Sequence, residues 1–190
     1  SDYNLPVLLV SFSDNESSAQ TSTEQDFQSH LFGDNTSGSL IDYYDEVSYG
    51  KFNLSGNVYG GENGWYQSSY TEAEALENTS GFIISILSQA DQNIDFSDYD
   101  NDGDGVVDAL MIVFPGLGAD EDGAESGHLW PHMSSLFENS SPYSGVFDNV
   151  SFSKYVICPE QRKVGNTNSR LIRPIGVFAH ELGHALGLPD

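Results

Sequence analysis

The chain has 190 residues, 38% of them hydrophobic, and carries 29 Asp and Glu against six Lys and Arg, a formal net charge of −23. That length supports one domain able to bury roughly 70% of its unfolded surface without disulfide staples. The charge excludes partners that attract basic surfaces, namely duplex DNA, RNA and anionic membranes, and no apolar run is long enough for a membrane-spanning helix.

Leu5 to Phe12 reads as a buried strand, apolar almost throughout and closed by the turn-like Ser13-Asp14. Thr23 to Phe32 suits a short helix with Phe27, Leu31 and Phe32 on one face. Ser39 opens a second helix, because Ser39 and Asp42 are spaced for a capping box and Gly50 is a plausible stop. Lys51 to Tyr59 alternates as a half-buried strand should. Thr71 begins the longest helical pattern, with Glu74 placed to complete a capping box and a stretch reaching Gln92, weakened by Gly81. Val106 to Phe114 and Val150 to Ile157 are strand-like. Ile175 to Leu186 is helical in period, following Pro174 and stopping before Gly187. Strands and helices interleave without a strict βαβ rhythm, which predicts a mixed α/β or α+β domain. The Gly-, Ser- and Asp-rich stretches at 60–70 and 115–149 read as surface excursions of it.

The strongest chemical signal is His180-Glu181-Leu182-Gly183-His184. Positions i and i+4 of a helix share a face, so both imidazoles can point at one ion. Glu181 lies about 100° around the helix, beside that ion and placed as general base for a metal-bound water. Gly187 can end the helix in a left-handed conformation and Pro189 cannot continue it, which frees Asp190 to swing back as a third ligand. Zinc is the default metal for two imidazoles and a carboxylate with an open fourth position. The plain alternative is two histidines decorating an amphipathic helix.

A second signal is Asp100-Asn101-Asp102-Gly103-Asp104-Gly105-Val106-Val107-Asp108. Carboxylates fall at loop positions 1, 3, 5 and 9, Gly105 sits at position 6, and Val106 offers its carbonyl at position 7. Position 12 is Met111, so the bidentate Glu of an EF-hand is missing and the residues after Gly105 are strand-like. The expectation is an EF-like calcium loop leading into a strand, set against a plain acidic turn. His128 and His132 have metal-like spacing, but Pro131 between them argues against a shared helix face. Asp120, Glu121, Asp122 and Glu125 read as a solvated acidic loop or a second cation site. Cys158, the only cysteine, excludes an intrachain disulfide and reads as a small buried hydrophobe.

These residues resemble the immune inhibitor A type of metallopeptidase, peptidase family M6. Pro6 to Asp14 is similar to the family's opening strand, and Tyr43 to Phe52 to its helix-to-strand segment, followed by Trp65-Tyr66. The Asp100–Asp108 loop, His128 to His132 and Val156 to Glu160 are similar as well, and Gly176 to Asp190 is the most specific stretch. The resemblance implies a zincin-like fold, a twisted mixed sheet with backing helices and an HExxH active-site helix. It also implies a secreted, extracellular zinc endopeptidase made as a zymogen, with proteins or peptides as substrates and its own pro-segment as inhibitor. Family roles then fall on Glu181 as general base and on His180, His184 and Asp190 as zinc ligands. Because the sequence stops at Asp190, residues 1–190 are expected to be the N-terminal part of a catalytic domain whose C-terminal part is missing. In isolation they are expected to hold zinc weakly and to show little proteolysis. The opening Ser1-Asp2-Tyr3-Asn4-Leu5 lacks the basic start of a signal peptide, so by the residues alone either the protein is cytosolic or its targeting segment has already been removed. Two other readings stay open: a catalytically inactive calcium-binding adhesion or matrix module with a relic HExxH, and a zinc hydrolase acting on small amides.

Overall fold

The apolar run near the N-terminus forms β1 (Asp2–Ser11), a central strand buried on both faces. It belongs to a computed structural model that describes residues 2–14, 21–33, 38–123, 125–165 and 169–189. On one side β1 pairs in parallel with β2 (Asn53–Tyr59) and, further along, with the two-residue β3 (Tyr66–Gln67). On the other it pairs in parallel with β5 (Leu110–Leu117), which pairs in parallel with β10 (Lys154–Lys163). Two antiparallel strands complete this mixed sheet on β10: β6 (His132–Ser135) beside its first half and β11 (Arg170–Ile172) beside its end. A short β7–β8 hairpin (Phe137–Glu138, Ser141–Pro142) lies off the sheet.

Alternation along the strands sorts side chains onto two faces. Leu5, Val7 and Leu9 of β1, Met111 and Val113 of β5, and Val156 and Cys158 of β10 share one core. It is covered by α1 (Glu24–Phe32), α2 (Leu40–Ser48) and α6 (Ile175–Ala185) through Phe27, Leu31, Leu40, Tyr44, Phe178 and Leu182. Leu8, Val10, Ile112, Phe114 and Ile157 face the opposite core. That core is closed by α3 (Glu72–Glu77), α4 (Thr79–Ala90) and a 3-10 turn at Phe96–Tyr99. The result is a mixed α/β domain with helices on both sides of the sheet.

The capping boxes read from the sequence at Ser39 and Thr71 are formed, and Thr23 with Asp26 makes a third. The long helix expected from Thr71 to Gln92 is instead two, and the break falls at Asn78, not at Gly81. Asn78 ends α3 with its backbone N–H and starts α4 with its side chain, which accepts from Gly81 N at 3.0 Å. The strand expected over Val106–Phe114 also divides, into β4 (Val106–Val107) and β5, and Val150–Ile157 divides into β9 (Ser151–Phe152) and β10. Both ladders keep the same 45-residue offset, so β4–β9 continues the line of β5–β10 across a gap. The gap follows from Asp108, whose carboxylate turns to accept from Asn101 N at 2.8 Å and Asn101 Nδ2 at 3.0 Å.

At the other edge, α1 shields β2. Gln28 acts as a substitute strand, its Nε2 donating to Gly56 O and its Oε1 accepting from Val58 N at 2.9 Å, which satisfies backbone groups that would otherwise invite another chain.

Candidate metal centre

Helix α6 forms because Ile175 to Ala185 repeats its apolar residues every three to four positions after Pro174, and it docks through Phe178, Ala179, Leu182 and Ala185. It ends as a Schellman motif. Leu188 N donates to Gly183 O, Gly187 N donates to His184 O, and Gly187 takes φ +93°, which a side chain would resist. Three groups from elsewhere in the fold bear on its position. Tyr44 Oη of α2 donates to Ala179 O at 2.7 Å, Lys154 Nζ of β10 reaches Ala185 O at 3.4 Å, and the Met133 backbone N–H of β6 faces the Glu181 carboxylate. A lysine at a helix C-terminus also complements its dipole.

One turn apart on this helix, His180 and His184 bring their Nε2 atoms to 3.1 Å. The Nδ1 of His184 lies 2.9 Å from Leu188 O. A carbonyl only accepts, so that nitrogen carries the proton and His184 Nε2 presents its lone pair. Two imidazole nitrogens at zinc-ligand lengths of about 2.05 Å and 3.1 Å apart subtend about 98° at a common ion, which suits a tetrahedral site. Ligand atoms of His180, Glu181 and His184 all fall within 4.8 Å of one another. Glu181 is only 7% exposed, and burial raises its pKa, opposed by His180, His184 and His132 and by the Met133 N–H. A carboxylate in this setting can hold a proton and release it. Asp190 lies outside the described residues.

The loop at Asp100 is organised around its first carboxylate. Asp100 Oδ1 accepts from Gly103 N and Asp104 N, and Oδ2 accepts from Gly105 N, all at 2.9–3.0 Å. Asp102 and Asp104 make similar turns onto Asp104 N and Val106 N. This brings the carboxylates of Asp100, Asp102 and Asp104 within 4.8 Å of one another. Asp108 is not in that group, since its Oδ2 is committed to Asn101.

The weaker sequence signals resolve into protein contacts. His132 has Nδ1 on Trp130 O at 2.8 Å and Nε2 on Tyr155 Oη at 2.9 Å, so both its nitrogens have protein partners. His128 lies between Glu72 at 2.9 Å and Asp122 at 3.4 Å. Asp120 and Glu121, on the short α5 (Ala119–Asp122), grip the buried Arg173 guanidinium, and Asp122 pairs with Lys163. The acidic run therefore meets protein cations. Cys158 is fully buried, and desolvation pushes its thiol well up.

Sequence reasoning missed Tyr44, Lys154, Arg173 and Glu160 as supports of this region. Glu160 is fully buried, sits at the bulge between β10 and β5, and receives Thr21 N at 2.8 Å, Ser22 N at 2.7 Å and Thr21 Oγ1 at 3.2 Å on one oxygen. Its backbone carbonyl accepts from Arg173 N at 2.7 Å, joining this strand to the approach of α6. A buried acidic side chain at the end of an apolar strand is the one local signal that could have revealed it.

A family model described as the immune inhibitor A peptidase M6 catalytic domain matches residues 7–190. The pre-pro-metalloprotease PrtV of Vibrio cholerae serotype O1, in strains M66-2 and El Tor Inaba N16961, is 29% identical over 188 residues, covering 80% of this chain and 18% of PrtV. Immune inhibitor A of Bacillus thuringiensis subsp. alesti is 31% identical over 121 residues, covering 58% of this chain and 16% of that protein. The chain spans less than a fifth of the length of these relatives.

Proposed function

The chain belongs to the immune inhibitor A peptidase M6 family, and on that premise we propose that it carries the HExxH helix of a secreted zinc metalloendopeptidase. The observation that supports the reading is the pair of His180 and His184 Nε2 atoms at 3.1 Å with a buried carboxylate beside them. His180 and His184 hold the zinc, with Asp190 as third ligand. Bound zinc supplies Lewis-acid activation of water and of the scissile carbonyl. Glu181 acts as general base and then general acid: its carboxylate takes a proton from the attacking water and delivers it to the leaving amine nitrogen. Its burial favours that task, because a raised pKa brings a carboxylate closer to the basicity a proton shuttle needs.

Residues 1–190 are read as part of a zincin-like catalytic domain. Calcium is the structural cation of the Asp100 loop, held by Asp100, Asp102 and Asp104 and the Val106 carbonyl, with Asp108 at the ninth position, where EF-type loops often reach the ion through water. The word pre-pro in the name of the Vibrio relative supports a pro-segment and export for this protein too.

The test is zinc content after dialysis together with casein hydrolysis by the full gene product. Bound zinc with hydrolysis that Glu181→Ala abolishes supports the reading. Neither zinc nor hydrolysis would leave a calcium-binding module, and cleavage of small amides without denatured protein would leave a different hydrolase.

A further inference from the structure

The two outer edges of the sheet differ. On β2, Gln28 takes the place of a further strand, whereas β11 has no such cover among the described residues. The antiparallel ladder sets Arg162 of β10 opposite Leu171 of β11. Two places along it in either direction, Arg173 N donates to Glu160 O at 2.7 Å and Val164 N to Ser169 O at 3.1 Å. Bonded and unbonded pairs alternate in such a ladder, so Arg170 and Ile172 turn their N–H and C=O groups away from β10. Nothing among the described residues meets those four groups. The strand lines a groove of about 590 Å³ shared with α1 and its approach, where Thr21, Ser22, Asp26 and His30 form the facing wall. Both walls are held: Thr21 N and Ser22 N are anchored on Glu160, and His30 Nε2 donates to Arg173 O at 2.8 Å.

Charge decides what this groove can take. Ile172 packs against the core that α1 covers, and Arg170, two residues before it, shares that face of the strand. Burial lowers the His30 pKa and keeps that ring neutral. The Asp26 carboxylate is already met inside its capping box, by Thr23 N at 2.8 Å and Thr23 Oγ1 at 2.7 Å. Arg170 is exposed and makes no ion pair with any described residue, whereas its neighbours Lys163 and Arg173 are both paired with carboxylates. A guanidinium presents a rigid fork of N–H groups that matches a carboxylate. The groove therefore offers an open strand edge for an extended backbone and one unmatched cation for an acidic side chain.

We propose that this groove binds an extended acidic segment of another polypeptide, which adds to β11 as a further strand and sets an Asp or Glu side chain on Arg170. Backbone bonds to Arg170 and Ile172 select an extended chain, and the guanidinium selects an acidic one. This site stands apart from the peptidase reading, and its test uses no catalysis.

The experiment follows the fluorescence anisotropy of labelled, end-capped peptides mixed with the full gene product carrying Glu181→Ala, so that no peptide is cut. Physiological salt limits the reach of the chain's general acidity to about 8 Å. The peptide TVEVT should bind saturably, and its TVQVT and TVKVT counterparts roughly tenfold more weakly, as loss of a charge-assisted hydrogen bond implies. Arg170→Gln should weaken TVEVT by the same factor and leave TVEVT and TVQVT indistinguishable. N-methylation of alternate amides along one edge of TVEVT should cost at least roughly tenfold, because strand addition uses those N–H groups. Arg162→Gln, on the opposite face of the same ladder, should change nothing. Absence of saturable binding, or binding indifferent to Arg170→Gln or to N-methylation, would overturn the proposal. Equal weakening by Arg162→Gln would reduce the effect to general basicity and overturn it as well. So would a dimer in sedimentation that TVEVT disperses, since the edge would then belong to a second copy of the chain.

Discussion

Glu160 is the most exacting test of how the region around the metal centre is held. Substitution by glutamine keeps the shape but removes the charge. The glutamine oxygen can still meet Thr21 N and Ser22 N, but each bond falls from the charge-assisted range of about 1.5–3 kcal/mol towards the neutral range of about 0.5–1.5 kcal/mol. Its new amide nitrogen would also face Gly116 N and Gln161 Nε2, donors that now lie 3.4 and 3.3 Å from the other carboxylate oxygen. Together these changes predict a loss of about 2–3 kcal/mol. Glu160→Ala leaves two backbone N–H groups without an acceptor at about 1–3 kcal/mol each, and a void besides, so about 4 kcal/mol is expected. Urea unfolding of wild type and both variants, followed by far-UV circular dichroism, reads these values directly. Two results would refute the reasoning: an alanine variant within 0.5 kcal/mol of wild type, as at an ordinary surface site, or a glutamine variant more damaged than alanine.

Glu181→Ala should lower turnover about 10²–10⁴-fold while zinc content, measured by atomic absorption, is unchanged. Calcium at a hundredfold excess over its Kd should stabilise the fold by about 2.7 kcal/mol, a rise in Tm of roughly 5–10 °C for a domain of this size, and Asp104→Asn should shrink that rise. Tyr44→Phe should cost only about 1 kcal/mol, because Ala179 O keeps its bond within α6, whereas Tyr44→Ala opens a core cavity and should cost about 3–5 kcal/mol; thermal melts of the two variants check this.

What could be read in the sequence was local. The capping boxes at Ser39 and Thr71 need residues only three apart, and the strand at Leu5 to Phe12 needs only an apolar run. The HExxH spacing likewise carries its own geometry, since a helix puts His180 and His184 on one face whatever surrounds it. The errors arose where one side chain served two elements. Asn78 both ends α3 and begins α4, a dual role that helical periodicity cannot register. The strand expected over Val106–Phe114 is interrupted at Asp108, whose bond to Asn101 breaks a stretch that is apolar on both sides of it. Tyr44 and Ala179 lie 135 residues apart, and Glu160 and Thr21 lie 139 apart, so no window along the chain contains either pair.

The distribution of the rare cations shows how an acidic chain can hold in place the helix of the proposed metal centre. Five of the six, Lys154, Arg162, Lys163, Arg170 and Arg173, fall between positions 154 and 173, on or just after β10 and β11. Three of them act on the surroundings of α6. Lys154 meets the carbonyl end of the helix, while Arg173, just before its start, is buried between Asp120 and Glu121, and Lys163 neutralises Asp122 on the same turn. Burying an arginine is tolerable only when its charge is met, and two carboxylates meet it here. The approach to α6 is thus fixed by an ion cluster on one side, by the Glu160 carbonyl on Arg173 N behind it, and by Tyr44 from the facing helix. A helix held at its start, middle and end keeps two imidazoles at one spacing, the preorganisation that the proposed zinc ligands one turn apart need to bind an ion tightly.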